Sequence, residues 1–328
     1  MRTFLSTFLS FIICHFLFFL CLLSYSPARA QVFVELNCEN LFDTRHDEGK
    51  EDFEYMPEAG RRWTVSRYWR KLDNIGRELL SCSDSPPDLV ALVEVENDSV
   101  LRDLTRRSLL RGAGYDFLMT SSPDVRGIDC ALLYRPVSFR PLCYDCLSVE
   151  PLPGMRPTRD ILYVMGETAG RDTLHIFVVH APSRYGGERP TRPHRRQVVA
   201  TLLAAMADVE GGKVIVAGDF NDYAYSPSLV MLGEAGLSNV SATARGANGL
   251  AGGTYRFQGK WESIDHILVS PSVLPMVRGV NINDAPFLLE QEPRYGGYRP
   301  RRTYQGFQYR RDGYSDHLPL VMRLGVKK

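Results

Sequence analysis

The chain carries almost no net charge. Its 328 residues hold 39 Lys plus Arg against 38 Asp plus Glu, a formal +1. That balance excludes the basic coat of a protein that wraps nucleic acid along its whole surface. Lysine is scarce, 6 residues against 33 arginines. Genomic codon bias accounts for such a ratio; the functional reading is a stock of planar forks for phosphate or carboxylate. Cysteine is sparse too, at seven residues, which excludes a small disulfide scaffold. There is no internal repeat, no low-complexity tract and no linker-like Pro/Gly/Ser stretch that would divide the chain. With 44% hydrophobic and 23% charged residues, the composition is that of a globular protein, neither disordered nor polytopic in a membrane.

Only the first thirty residues hold a long apolar run. Phe4 to Leu23 is apolar and aromatic apart from Ser6, Thr7, Ser10 and His15, and Ala28-Arg29-Ala30 follows. A small-x-small ending after such a run reads as a signal peptide over residues 1–30, cleaved before Gln31. An uncleaved signal-anchor is the rival, since the run is long enough to span a bilayer. Cleavage implies a periplasmic or extracellular protein with no stable membrane span, and one domain over residues 31–328. Losing Arg2 and Arg29, and no acid, takes the formal charge from +1 to −1. Cys38, Cys82, Cys130, Cys143 and Cys146 remain. Cys143-Tyr-Asp-Cys146 has zinc or redox spacing, but it lies in a strand-like stretch without further ligands, so a local disulfide or two unpaired thiols is the plainer reading.

Periodicity gives the elements. Gln31–Asn37 alternates like a half-buried strand. Ser66–Leu80 spaces Trp69, Leu72, Ile75 and Leu79 as a helix, and Asp98–Arg111 reads as another, closed by Gly112. Buried strands are expected at 88–95, 128–134, 174–179, 213–217, 264–269 and 318–322, with 138–149 pairing 160–167. Arg196–Val209 is an amphipathic helix. The glycine-rich 246–253 and the Arg/Tyr-rich 285–313 read as long loops, which are usually functional or mobile. Strands outnumber helices in mixed order, so the expected class is α/β with packed sheets and outer helices.

The chemistry lies where these strands end. Asn37 closes the first and Glu94 sits in Val90-Ala-Leu-Val-Glu94. His180 closes Phe177-Val-Val, and Asp219 and Asn221 follow Val214–Gly218. Asp265 lies in Ile264-Asp-His-Ile-Leu, and Asp316-His317 precedes Leu318. An Asp at a strand end is most often a cap or turn former. Strand ends on one edge of a sheet can converge where α/β proteins place ligands, and six such endings point to one site. Carboxylate and amide oxygens are hard donors suited to Mg²⁺, Mn²⁺ or Ca²⁺ rather than zinc. The remaining Asp and His suit proton transfer and phosphate contact.

Asn37-Cys-Glu-Asn-Leu-Phe-Asp43, Leu92-Val-Glu-Val-Glu-Asn97, Gly218-Asp-Phe-Asn-Asp222, Ile264-Asp-His266 and Ser315-Asp-His317 stand in the order found in the endonuclease/exonuclease/phosphatase superfamily. The sequence resembles that superfamily over residues 31–325, in the form of a secreted bacterial branch. The resemblance implies a four-layer sandwich, two packed mixed β-sheets flanked by helices. It implies a metal site of Asn37, Glu94 and Asp316, and catalytic roles for Asp219, Asn221, His180, His317, Asp316 and Asp265. Asp219 is matched to the water-activating aspartate, Asn221 and His317 to phosphate contacts, and Asp316 to the partner of His180, whose imidazolium it stabilises. Asp129 is a second candidate partner for His180, and His266 is either structural or part of the site. Cys38 is expected to point away from the metal side. Tyr134 and Tyr144 are both open as the family's phosphate-contacting tyrosine.

The function implied is a divalent-metal phosphoesterase acting on phosphodiesters or phosphomonoesters, with an inactive binding module on the same fold as the rival. Two arginine clusters bear on substrate: Arg184, Arg189, Arg192, Arg195 and Arg196, and Arg294, Arg299, Arg301, Arg302, Arg310 and Arg311. Interleaved with Tyr295, Tyr298, Tyr304 and Tyr309, they favour nucleic acid. Arg184, Arg302 and Tyr304 are the named substrate-binding candidates. Sugar phosphates, inositol phosphates and lipids stay open, the last resting on the short apolar run Ala285–Leu289. A monomer is expected.

Overall fold

Strand β1, Gln31–Leu41, alternates as far as Cys38, and the computed structural model shows where each side goes. It describes residues 30–325, so the expected signal peptide lies, but for Ala30, outside the described residues. Phe33 faces a second sheet; Val34, Leu36 and Cys38 face helices. The same period sorts β2 (Leu89–Val95), with Leu89, Ala91 and Val93 inward and Val90 and Leu92 outward. β3 (Asp116–Met119) and β4 (Asp129–Tyr134) extend this sheet on one side. The second sheet contains β5 (Phe139–Leu147), β6 (Ile161–Thr168), β7 (Thr173–His180), β8 (Lys213–Asp219), β9 (Ser238–Asn239) and β12 (Asp265–Val269). β13 (Val277–Ile282) and β18 (Leu320–Leu324) complete the first. Their orders are β13-β18-β1-β2-β4-β3 and β5-β6-β7-β8-β12-β9, with parallel pairing at β1–β2 and β7–β8.

Helices α1 (Val65–Leu80) and α2 (Asp98–Arg106) cover the first sheet through Leu72, Ile75, Leu79, Leu101 and Leu104. Helices α3 (Glu188–Ala207) and α4 (Pro227–Glu234) cover the second through Val198, Val199, Leu202, Leu229 and Leu232. The result is the expected α/β sandwich of four layers. Each interface buries one face of an alternating strand or one stripe of a helix, where the hydrophobic driving force resides. Among the described residues no helix is long and apolar enough to cross a membrane.

Several expectations change. Asp98–Arg111 is not one helix: α2 stops at Arg106 and a 3₁₀ turn, Leu109–Gly112, follows. Helix α3 starts at Glu188, two turns before Arg196. Pro190 falls in its first turn, where a missing N–H costs nothing, and Pro193 is accommodated inside. The 285–313 stretch is not a bare loop. It holds the small ribbons β14–β15 (Leu289–Gln291, Tyr298–Pro300) and β16–β17 (Tyr304–Gln305, Gln308–Tyr309). A further hairpin, β10–β11 (Tyr255–Phe257, Lys260–Glu262), precedes β12. The glycine-rich 246–253 loop is fixed from within. The buried Asp284 carboxylate accepts the N–H groups of Asn248 (2.7 Å), Leu250 (2.7 Å) and Ala251 (3.0 Å). All five cysteines in the described residues are free, so Cys143 and Cys146 form no local disulfide.

Buried acids run through the layers. Glu35 is not the solvent side of a half-buried strand but fully buried, on the inner face between Phe33 and Asn37, with neither oxygen hydrogen-bonded. Glu78 of α1 is in the same state. Beside it the buried Lys71 donates to Thr303 Oγ1 (2.7 Å) and to the Tyr314 carbonyl, tying α1 to the loop that carries Asp316.

Burial pushes the Glu78 carboxyl from 4.5 up to about 8, against the pull of Lys71. The raised value means that its contribution is fully present below the unfolded value and is lost as pH rises through 8. Glu78→Gln should therefore unfold at higher urea than the parent at about pH 9, by on the order of 1–3 kcal/mol, and match it at about pH 5. Equal offsets at both pH values would refute the assignment.

Candidate active site

Strand register sets three polar residues in a row. Asp219 ends β8, with His180 of β7 and Asp265 of β12 as its direct partners. All three continue the inward-facing series of their strands, Ile176-Val178-His180, Ile215-Ala217-Asp219 and Asp265-Ile267-Val269. Asn37 continues the inward series of β1 from the opposite sheet, and its amide donates to Asp219 Oδ2 at 3.1 Å. The Ser315 hydroxyl donates to the Asn37 carbonyl (2.6 Å) and accepts the His317 N–H (3.1 Å), docking the Ser-Asp-His segment on β1. Gly218 precedes Asp219 with φ +147°, and a Cβ there would collide with the Val179 carbonyl.

Glu94 reaches the site differently. By alternation it belongs to the outer face. The β2 register shifts between Val93 and Val95, and Glu94 takes φ +62°. A matching irregularity in β1 places Glu39 (φ +51°) and Asn40 (φ +59°) opposite. With Asn221 (φ +50°), four of the seven non-glycine residues in left-handed conformation among the described residues cluster here. Strain of this kind persists where the surroundings over-determine it. Glu94 Oε2 accepts the Asn40 N–H (2.8 Å). Its Oε1 stands 3.8 Å from Arg126 and 3.9 Å from His180 Nε2, bonded to neither.

The two histidines are driven apart. His317 Nδ1 lies 2.8 Å from Asp265 Oδ2, and the Thr254 hydroxyl donates to the same oxygen. Burial alone pulls the imidazole down, but Asp265, Asp219 and Asp316 carry it well above its ordinary range. His180 has no such partner. Burial, with Arg159, Arg126 and His317 nearby, holds it well below that range, and its Nδ1 is unbonded. Its expected pairing with Asp316 is thus corrected, because the Asp316 carboxylate is taken by Arg302 at 2.7 Å. Arg302, His317 and Lys71 outweigh burial and hold Asp316 below the usual carboxylate range. Asp129 does not reach His180 either; it accepts from Thr120 Oγ1 (2.6 Å) and the Ser122 N–H (2.9 Å). Burial and the Asp265 charge push Asp219 up to about 7.

A cavity of about 530 Å³ opens on these groups. Asn37, Glu94, His180, Asp219, Asn221, Asp316 and His317 line it, as does Arg184. Asp265 stands behind His317. Arg302 and Tyr304 do not line this cavity. Arg302 is clamped between Asp316 and Glu39, and the buried Tyr304 hydroxyl donates to the Arg61 carbonyl (3.1 Å). His266 lies on the other face of β12, its Nε2 2.9 Å from the Asp222 carbonyl, a structural residue. Neither Tyr134 nor Tyr144 is near: Tyr134 pairs with Leu89 at the opposite end of β2, and Tyr144 is exposed on the edge strand β5. Two other tyrosines line the cavity: Tyr185 at its exposed mouth, and Tyr255, whose ring lies 4.9 Å from that of His317. Burial, then Asp316, pushes its hydroxyl up to about 12, so it stays a proton donor near neutrality. Tyr255 sits in a three-residue strand, too short to show a period. Arg126, in the 120–128 loop, Tyr185 and Phe257 also line the cavity without having been foreseen.

The donor set suits a hard divalent cation. Glu94 Oε1 is free of hydrogen bonds, and Asp316 keeps Oδ1 while Oδ2 holds Arg302. Asp219, Asp265 and His317 form a second tight group, with ligand atoms within 4.8 Å of one another, but His317 Nδ1 and Asp265 already satisfy each other. Oxygen donors at Glu94 and Asp316 fit Mg²⁺, Mn²⁺ or Ca²⁺.

The His317–Asp265 pair can be tested without substrate. In metal-free protein, Asp265→Asn should lower the midpoint of the His317 ring titration, followed by NMR, by about one to three pH units. An unmoved midpoint would show that the carboxylate does not set the charge of the ring.

A sequence profile of the Endonuclease/Exonuclease/phosphatase family matches residues 32–326. No curated protein matches the sequence. Among solved structures, an endonuclease/exonuclease/phosphatase family protein from Bacteroides thetaiotaomicron has a TM-score of 0.60 at 17% identity, covering 90% of this chain and 97% of that one. The mannosyl-6-phosphatase of the same organism gives 0.60 at 17% identity, over 90% and 99%. The human Nocturnin catalytic domain, with bound sulfate, gives 0.57 at 18% identity, over 91% and 95%. At these identities the structures share a fold with this chain. The profile spans nearly all of the described residues, and the chain belongs to the endonuclease/exonuclease/phosphatase family.

Proposed function

We propose that the protein is a divalent-metal-dependent phosphoesterase that hydrolyses small phosphate esters by in-line attack of water. Members of the family act on phosphoester bonds, and the observation that carries the reading here is the convergence of Asp219, His317 and Glu94 on one cavity. Glu94, Asp316 and the Asn37 amide oxygen would hold a divalent cation, which would supply charge to oppose that of the phosphoryl oxygens. Asp219, with a proton affinity near neutrality, accepts the proton of the attacking water. Asn37 and the Asn221 N–H, 2.8 Å from Asp219 Oδ1, hold that carboxylate in place. The His317 imidazolium, oriented by Asp265, presents Nε2 to a phosphoryl oxygen, and Asn221 and Tyr255 line the same space.

Two observations bear on the substrate. Seven of the eleven clustered arginines are spent on carboxylates. Arg184 pairs with Glu262, Arg192 with Glu188, Arg195 with Asp222, Arg299 with Glu290 and Glu292, Arg301 with Asp312, Arg302 with Glu39 and Asp316, and Arg310 with Glu290. They are not free to track a polyanion, which removes the main support for nucleic acid. The apolar run at 285–289 is no membrane hairpin, since Leu288 and Leu289 are buried. What remains is a compact cavity with exposed aromatics at its mouth, Tyr185 at 94% and Phe257 at 51% exposure. These faces suit a sugar ring or a single base. A nucleotide end is the second reading, favoured by the same two rings.

Sugar phosphates, inositol phosphates, nucleotides, DNA, RNA and bis(p-nitrophenyl) phosphate, each with Mg²⁺ or Mn²⁺, should be compared side by side. Turnover is expected on the small esters, with a KM only weakly dependent on salt. Asp219→Ala should lower kcat by about 10²–10⁴ without loss of fold. A KM that climbs steeply with salt on DNA or RNA would return the reading to a nuclease. No turnover on any substrate would leave an inactive binding module.

A further inference from the structure

The 120–128 loop is held rigidly at its base. The Asp124 side chain accepts the Arg126 N–H (2.8 Å) and pairs with the buried Arg159 (3.0 Å), and Lys50 Nζ donates to the Ser122 and Asp124 carbonyls (2.8 and 2.9 Å). From that anchored loop the Arg126 side chain lines the cavity. Its Nη2 donates to the Asn40 side-chain oxygen (2.6 Å) and stands 3.8 Å from Glu94 Oε1, too far for a hydrogen bond. The free oxygen of the metal-site glutamate therefore faces a guanidinium that compensates its charge without saturating it. The fork's nearest bonded partner is a neutral amide, an acceptor that a doubly charged oxyanion outcompetes.

We propose that Arg126 is a dual-purpose cation: it stands in for the metal beside Glu94, and it grips the phosphoryl group of the substrate once metal is bound. The inference rests on the metal-dependent phosphoesterase reading above. A divalent ion at Glu94 brings two cations to one carboxylate, so without a further anion Arg126 opposes metal binding. A phosphoryl group supplies that anion and turns opposition into cooperation. The coupling between metal and oxyanion is reciprocal, and Arg126 carries part of it.

Calorimetric titration of the purified metal-free protein with Mn²⁺, with and without inorganic sulfate as the tetrahedral dianion, tests this. Arg126→Gln should bind Mn²⁺ about two- to fivefold more tightly than the parent without sulfate, the size expected for removing one half-exposed charge pair. Sulfate should tighten Mn²⁺ binding to the parent and do so less, or not at all, in Arg126→Gln. Arg126→Lys, which keeps the charge but loses the fork, should retain the parent's Mn²⁺ affinity and lose most of the sulfate effect. Arg140→Gln, removing a surface arginine paired with Glu167, should behave as the parent. Unchanged or weaker Mn²⁺ binding in Arg126→Gln, or a sulfate effect equal to the parent's, overturns the assignment. If Glu94→Gln leaves Mn²⁺ affinity unchanged in the otherwise unaltered protein, the metal-site reading falls, and this inference with it.

Discussion

A hydrogen bond from the Asn37 amide on one sheet to the Asp219 carboxylate on the other sits where the inter-sheet core ends. Below it the inward positions are apolar, save Glu35; at its level His180, Asp219 and Asp265 join Asn37, with Val93 of β2 still apolar beside it. Two sheets packed face to face leave a crevice at such an edge, and the side chains that line it are fixed by strand period rather than by flexible loops. That is why His180, Asp219 and Asp265 share a register while coming from strands far apart in the chain. The bond also fixes one Asp219 oxygen against the opposite sheet, so the layers and the chemistry are positioned by the same contact. Ser315 extends this logic, because the hydroxyl that docks His317 does so on the carbonyl of Asn37 itself.

The charges around that contact are divided between two sides. On one, Lys71 and Arg302 reach Glu39 and Asp316, so Asp316 remains a carboxylate although half-buried. On the other, burial, with Arg159 and Arg126 nearby, keeps His180 neutral. His317, between carboxylates, is the cationic one. Two imidazoles in one cavity thus hold opposite protonation states, set by which charges surround them. A neutral His180 can accept a hydrogen bond or act as a nitrogen donor near Glu94, whereas a charged His317 can only donate. The local environment assigns the roles, and the residue type does not.

The outline of this arrangement was legible in the sequence because strands are periodic. An apolar run that stops at Asn37, His180 or Asp219 announces both the strand and the residue at its inward end. Glu94 was legible as a residue but not as an inward one. A bulge moves it across the sheet, and no local pattern marks a bulge that carries φ +62° on a glutamate. The pairing of His317 with Asp265 rather than His180 with Asp316 depends on Arg302, which lies 14 residues before Asp316 in sequence and also reaches back to Glu39. Contacts of that range leave no periodic trace. The start of α3 leaves little trace because prolines such as Pro190 and Pro193 are disfavoured inside a helix and tolerated in its first turn. Tyr255 and Arg126 lie on a short hairpin and a loop, where neither period exists.

Arginine content deserves the opposite treatment from strand ends, because its meaning reverses once partners are known. In sequence, a run of arginines and tyrosines suggests a surface seeking phosphate. Here Arg299 spans Glu290 and Glu292, Arg310 shares Glu290, and Arg301 meets Asp312, so the 285–313 segment is laced to itself. Arg195, fully buried, holds Asp222 at 2.9 Å just beyond the Asp219–Asn221 turn. A guanidinium's fork geometry suits it to several acceptors at once, which makes it as useful for fixing an irregular loop as for binding substrate. The nearly equal numbers of basic and acidic residues leave enough carboxylates for this pairing. The cationic groups left to meet an anion in the cavity are few and close to the reacting centre, which matches a site that holds one phosphoryl group rather than a backbone of them.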